Sequence, residues 1–66
     1  MSVKKTNRSY QIRRNTDTMV IETLDGEHIA EYRFTSPTSA LADIRRMYKT
    51  IDDHIANGGN LGNYQW

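Results

Sequence analysis

The side chains that could support acid–base or metal chemistry are few and dispersed along the 66-residue chain. His28 and His54 are its two histidines, and the absence of cysteine excludes disulfides and thiolate metal sites. Asp53 precedes His54, but a metal-binding helix would need a second ligand four positions away, and Thr50 and Gly58 occupy those positions. The sequence therefore predicts no catalytic residues, no metal site and no cofactor.

The hydroxyl and glycine candidates are better explained by the two ends of a helix. Ser36 and Ser39 stand where a helix would begin, and serine is a favoured capping residue. Gly58-Gly59 stands where that helix would stop, whereas a glycine loop that holds phosphate precedes a helix. We therefore interpret these residues as structural and predict a protein that is not an enzyme.

Basic residues are concentrated near the N-terminus, although the net charge of the chain is only +1. Five of them precede the first acidic residue, Asp17, and three more lie in the second half of the chain. Two of those three, Arg46 and Lys49, stand at ion-pair spacing from Asp43 and Asp53. A basic arm can follow phosphates, but it is also an ordinary solvated segment. The residues that would serve a nucleic-acid-binding function are Lys4, Lys5, Arg8, Arg13, Arg14, Arg45, Arg46 and Lys49.

One amphipathic helix, predicted over about residues 37–56, organises the rest of the chain. Its apolar residues alternate at steps of three and four, the spacing that places side chains on one stripe: Leu41, Ile44, Tyr48, Ile51 and Ile55. Ala40, Met47 and His54 widen that stripe on one flank. Ser36 is the expected cap and Pro37 the first helical residue, where a missing N–H costs nothing.

Three antiparallel strands are predicted before the helix, at about residues 9–14, 18–24 and 27–34. Alternation and β-branched residues indicate the strands, and Asp25-Gly26 indicates a two-residue hairpin loop in which Leu24 pairs with Glu27. That register places Met19, Ile21, Tyr32 and Phe34 on the face that covers the helix. The opposite face would then expose three apolar residues among charges: Val20, Leu24 and Ile29.

The predicted architecture is a single α+β domain of βββα order over residues 9–58, between a basic arm (residues 1–8) and a C-terminal tail (residues 59–66). The tail carries Leu61, Tyr64 and Trp66, which either complete a small core or dock on a partner. No segment resembles a signal peptide or a membrane span, so we expect a cytoplasmic protein without membrane contact.

The order of three strands and a helix resembles, in outline, small DNA-binding modules such as the arm-binding domains of some phage-type integrases. In such modules the open sheet face enters the major groove, which the resemblance would assign here to the face carrying Arg13 and Arg33. Three carboxylates on that face would repel phosphates: Glu22, Glu27 and Glu31.

The sequence favours a small protein-binding module, an inhibitor or adaptor of the kind that phages and mobile elements encode. Its expected contacts are Val20, Leu24, Ile29, Arg33, Tyr64 and Trp66. DNA or RNA binding through the basic residues is the alternative hypothesis. Self-assembly as a homo-oligomer is the third, since a core this small is marginally stable alone.

Overall fold

The computed structural model describes residues 8–66. Three strands, β1 (Tyr10–Asn15), β2 (Thr18–Thr23) and β3 (His28–Arg33), precede a helix, α1 (Ala40–Ala56), and a short 3₁₀ turn (Leu61–Asn63). The strands form one antiparallel sheet in the order β1-β2-β3. The predicted α+β fold, a three-stranded antiparallel sheet with one C-terminal helix, is confirmed. Neither helical segment within residues 8–66 has the length and apolar character needed to cross a bilayer.

The turn between β2 and β3 differs from the predicted two-residue loop. Thr23 N–H donates to Glu27 O at 2.9 Å, and Gly26 N–H donates to Thr23 O at the same distance. Gly26 has a φ of 94°, which glycine adopts at no steric cost. This is a three-residue loop, so the predicted pairing of Leu24 with Glu27 is wrong.

A register shift next to this turn changes the face of one predicted contact residue. The pairs from Thr18–Arg33 to Ile21–Ala30 follow the predicted register, but the next pair is Glu22–His28. The shift makes Ile29 the additional residue of a β-bulge. Ile29 is half-buried and packs against the core, which corrects its prediction as part of the opposite face.

The core lies between one sheet face and α1. Tyr10, Ile21 and Ile51 are its fully buried members, and Met19, Phe34 and Ala40 form an adjoining cluster. Leu41 is 63% exposed and Ile55 is 37% exposed, so both predicted stripe residues lie at the margin. The buried face of α1 is instead centred on Ala40, Met47 and Ile51, which is a correction of the predicted stripe.

The start of α1 is organised by a carboxylate inside the helix. Asp43 is 4% exposed and its Oδ2 accepts hydrogen bonds from Thr35 N–H at 2.8 Å and from the hydroxyls of Thr35 and Ser39 at 3.0 Å. These bonds fold residues 35–39 into a turn, with Ser39 at the N-cap position. The predicted start at Ser36 and Pro37 is therefore wrong by about one turn of helix.

A second polar cluster joins β1 to α1. The Tyr10 hydroxyl donates to Asp52 Oδ1, and Arg8 contacts the same carboxylate with Nε at 3.1 Å and Nη2 at 2.8 Å. Burial raises the pKa of the Tyr10 hydroxyl, and the Asp52 carboxylate raises it further. For Asp52 burial raises the pKa, but the bonds from Arg8 and Tyr10 outweigh it and lower the pKa overall. The Arg8 guanidinium also lies 4.2 Å from the centre of the Tyr48 ring.

The C-terminal tail folds back on the domain. Leu61, Tyr64 and Trp66 pack against the core, Trp66 Nε1 donates to Leu61 O at 3.0 Å, and the Tyr32 hydroxyl donates to Trp66 O. The tail turns away from α1 at Gly59, where an added Cβ would lie 2.3 Å from His54 Nε2. Only glycine fits there while His54 keeps its place. Of the two predicted arrangements of the tail, the structure has the one that completes the core.

The turn between β1 and β2 contains a strained residue, Thr16, whose φ is 56°. A β-branched residue in this left-handed region costs roughly 1–2 kcal/mol, while glycine loses somewhat less in chain entropy. We expect Thr16→Gly to raise the free energy of unfolding by about 0.5–1 kcal/mol in urea titrations. Thr38→Gly is the control in a turn without positive φ. A gain of the same size at Thr38 would refute the explanation.

Candidate interaction surface

The open face of the sheet, which α1 does not cover, is a connected layer of polar side chains. Glu22, on the central strand, accepts hydrogen bonds from Gln11 Nε2 at 2.7 Å and from Arg13 Nε at 3.4 Å. Val20 is only 3% exposed, although it lies on this face. Its paired neighbours are Arg13 and Glu31, long side chains whose apolar stems can cover it. Val20 is therefore not accessible to a partner in this arrangement.

The other predicted protein contacts are not gathered on one surface. Leu24 is 61% exposed in the β2–β3 turn, and the side chain of Arg33 is 79% exposed at the opposite end of β3. Ile29, Tyr64 and Trp66 are half-buried and pack on the core. Only Leu24 and Arg33 are thus well exposed among the six residues, while the two tail aromatics have a structural role.

The basic residues of the alternative hypothesis are mostly engaged within the domain. Lys4 and Lys5 lie outside the described residues. Arg8 pairs with Asp52, and the guanidinium of Arg14 lies 5.8 Å from the centre of the Phe34 ring. Three other predicted residues form ion pairs of 3.3 to 3.5 Å with carboxylates: Arg13 with Glu22, Arg46 with Asp43 and Lys49 with Asp53. Arg45 is exposed on α1.

The histidines have structural partners. His54 Nε2 lies 2.7 Å from Asn63 Oδ1 and 3.1 Å from Asn60 O, so it is bonded to the tail. His28 Nε2 lies 3.5 Å from Glu31 Oε1 on β3. Within residues 8–66, no group of three or more histidine, aspartate or glutamate side chains is arranged to hold a metal ion.

The outer edge of β3 is the surface that sequence reasoning missed. Phe34 N–H donates to Asp17 O at 3.0 Å, which fixes the inward-facing set of residues in the β2–β3 pair. Because main-chain groups alternate between the two sides of a strand, the N–H and C=O groups of Glu31 and Arg33 face outward. Within residues 8–66, no hydrogen bond occupies these outward N–H groups. The meander of consecutive hairpins could have indicated that β3 is an edge strand.

The opposite edge of the sheet, on β1, has a different environment. Ile12 N–H, in the middle of β1, faces outward and donates to the Tyr48 hydroxyl at 3.0 Å. Tyr48 is held by α1, and the adjacent Arg8 and Asp52 side chains lie against the same strand. A side chain of the helix therefore occupies the middle of the β1 edge, whereas no such contact occupies the middle of the β3 edge within residues 8–66.

A groove of about 400 Å³ lies at the end of the sheet beside Arg33. It is bounded by the β1–β2 turn and by the turn that precedes α1, with Arg14 and Phe34 in its wall. Arg33 Nη1 is 3.7 Å from Asp17 Oδ2 across this groove, and both side chains are more than half exposed. Such an exposed pair is weak, so the Arg33 guanidinium remains available to another carboxylate.

Comparison of the chain with protein-family models, with curated proteins and with solved structures gives no match in any of the three.

Proposed function

We propose that the protein is a non-enzymatic protein-binding module, an inhibitor or adaptor, that adds a strand from another polypeptide to the outer edge of β3. The observation that carries the proposal is the set of outward main-chain groups of Glu31 and Arg33, which no hydrogen bond within residues 8–66 occupies. An open edge is a template for strand addition, in which main-chain hydrogen bonds provide affinity.

The charges of the described residues support protein contact over nucleic-acid contact. Five basic side chains within residues 8–66 already face a carboxylate: Arg8, Arg13, Arg33, Arg46 and Lys49. Binding to phosphates would separate these pairs, and Glu31 on the open face would repel a phosphate backbone. A polypeptide strand needs no such rearrangement, because it bonds to the main chain.

The side chains beside the edge would select the partner. Glu31 and Arg33 lie on the open face, two positions apart, and flank Tyr32 on the core face. An incoming strand that carries an arginine or lysine and an acidic residue two positions apart would pair with both charges. With no cysteine in the chain, a cytoplasmic location is part of the same proposal.

A matched pair of substitutions at Glu31 tests the proposed edge. Glu31→Pro removes the outward N–H, whereas Glu31→Ala removes the same carboxylate and keeps the N–H. Proline is tolerated on an edge strand, where it breaks no internal ladder bond. In capture from nuclease-treated lysate at moderate salt, we expect Glu31→Pro to lose bound protein at least tenfold relative to Glu31→Ala.

Thermal unfolding of both variants provides the control, since equal melting midpoints exclude a folding defect. Amide exchange on the complex supplies a second readout, in which Glu31 and Arg33 should gain protection in the wild-type chain. Equal capture by the two variants would contradict edge binding. Recovery of nucleic acid alone, with a steep dependence on salt, would replace the proposal with the nucleic-acid alternative.

A further inference from the structure

We infer that the strand added to β3 is β3 of a second copy of this chain, paired antiparallel about a two-fold axis at Tyr32. The inference rests on the edge pairing of the proposed function and names a second copy as the occupant of β3, for which a different protein bound as by an inhibitor or adaptor would have to compete. In a two-fold pairing, β3 of one copy contacts β3 of the other, so each group must find its partner on an identical strand. Both the hydrogen-bonding groups and the charges of β3 must therefore be self-complementary.

The hydrogen-bonding groups meet this requirement. The outward residues Glu31 and Arg33 stand on either side of Tyr32, so a two-fold axis at Tyr32 places Glu31 of each copy opposite Arg33 of the other. In an antiparallel ladder, residues that face each other in this way exchange both main-chain hydrogen bonds. Pairing ends before Thr35, because Thr35 N–H already donates to Asp43 Oδ2. The β-bulge at Ile29 limits it at the other end.

The charges select this register over its neighbours. A shift that centres the pairing on Glu31 would place the two Glu31 carboxylates opposite each other. A shift that centres it on Arg33 would do the same with the two guanidinium groups. Like charges directly opposite each other destabilise a strand pair, whereas opposite charges stabilise it. Only the axis at Tyr32 makes both cross-strand pairs attractive.

The side chains are free enough to form these pairs. Arg33 is 3.7 Å from Asp17 in an exposed and therefore weak ion pair. Glu31 accepts from the Thr18 hydroxyl at 2.8 Å through Oε2, and its Oε1 is 3.5 Å from His28 Nε2. A guanidinium can join this carboxylate without displacing Thr18, since a carboxylate accepts several hydrogen bonds. Both residues remain on the open face, clear of α1.

The experiment uses two single-charge variants of the full chain. Arg33→Glu makes both charges of β3 negative, and Glu31→Arg makes both positive. Sedimentation velocity from about 1 µM to 1 mM should show reversible dimerisation of the wild type, and each variant alone should associate at least about tenfold more weakly. An equimolar mixture of the two variants should form heterodimers, because every cross-strand pair is then attractive.

Heterodimer recovery separates pairing from monomer stability. Within a single chain Arg33→Glu faces Asp17, an unfavourable contact that mixing does not relieve, so renewed association must come from the interface. A dimer that neither variant weakens, or a mixture that remains monomeric, would overturn the inference. A monomeric wild type that still captures another protein through the Glu31 N–H would overturn it and leave the proposed function standing. If the wild type stays monomeric and Glu31→Pro captures as much protein as Glu31→Ala, both the inferred dimer and the proposed function are contradicted.

Discussion

Asp43→Ala should lower the midpoint of thermal unfolding by about 10 °C or more, because it removes the acceptor on which the start of α1 depends. Without the carboxylate, Thr35 N–H and the hydroxyls of Thr35 and Ser39 lose their shared partner. Asp53→Ala is the matched control. Asp53 lies on the same helix but is exposed, and its ion pair with Lys49 contributes little. A similar fall for both variants would show that general helix propensity, and not this site, is responsible.

The same carboxylate should make the fold sensitive to acid. The hydrogen bond from Thr35 N–H lowers the pKa of Asp43, whereas burial raises it. The pKa is lowered further by the hydroxyls of Thr35 and Ser39 and by the charge of Arg46, so the net shift is downward. A lowered pKa gives stability that is present above the unfolded value of roughly 3.9 and is lost as pH falls through the folded value. Melting midpoints of wild type and Asp43→Ala should therefore approach each other as the pH falls below roughly 3.9 and through the lowered pKa of folded Asp43. A constant difference down to pH 2 would contradict the assignment.

Deletion of residues 64–66 should cost about 3 kcal/mol of unfolding free energy, the second large effect. The half-buried rings of Tyr64 and Trp66 lie 4.5 Å apart against the core, and the Tyr32 hydroxyl donates to Trp66 O. For a domain whose total stability is on the order of 5 kcal/mol, such a loss would populate unfolded chains. Urea titration followed by circular dichroism measures it.

The control for the deletion is Gln65→Ala, which changes an exposed residue of the same segment and should shift stability by less than about 0.5 kcal/mol. A deletion that left stability unchanged would show that the tail does not support the core in solution. The expected loss also bears on binding experiments: a partner lost on removal of Trp66 reports unfolding unless stability is measured on the same sample.

The sequence was sufficient for the fold wherever a local pattern had one physical meaning. Alternation placed the strands, Gly26 marked the turn, and the apolar spacing located α1. The errors came from tertiary contacts. Asp43, a charged residue expected at the surface, is buried where it accepts hydrogen bonds that organise residues 35–39, and the buried face of α1 excludes Leu41 and Ile55.

The interaction surface was harder to predict because it consists of main-chain groups. The sequence predicts Val20 and Ile29 as exposed apolar contacts, but the stems of Arg13 and Glu31 can cover Val20, and a β-bulge turns Ile29 toward the core. Arg33, which the sequence predicts to fix the orientation of a partner, is exposed. The outward N–H and C=O groups of β3 exist because β3 pairs with β2 on one side only. This strand order is a property of the whole sheet and not of any one side chain.

The Tyr48 hydroxyl on Ile12 N–H bears on how far the proposed β3 pairing can extend. In that dimer the two sheets join through β3, and the two outer strands are both β1. A further copy could pair along β1 only by displacing Tyr48 from the middle of that strand. We therefore expect the assembly to stop at six strands and not to continue as a fibre.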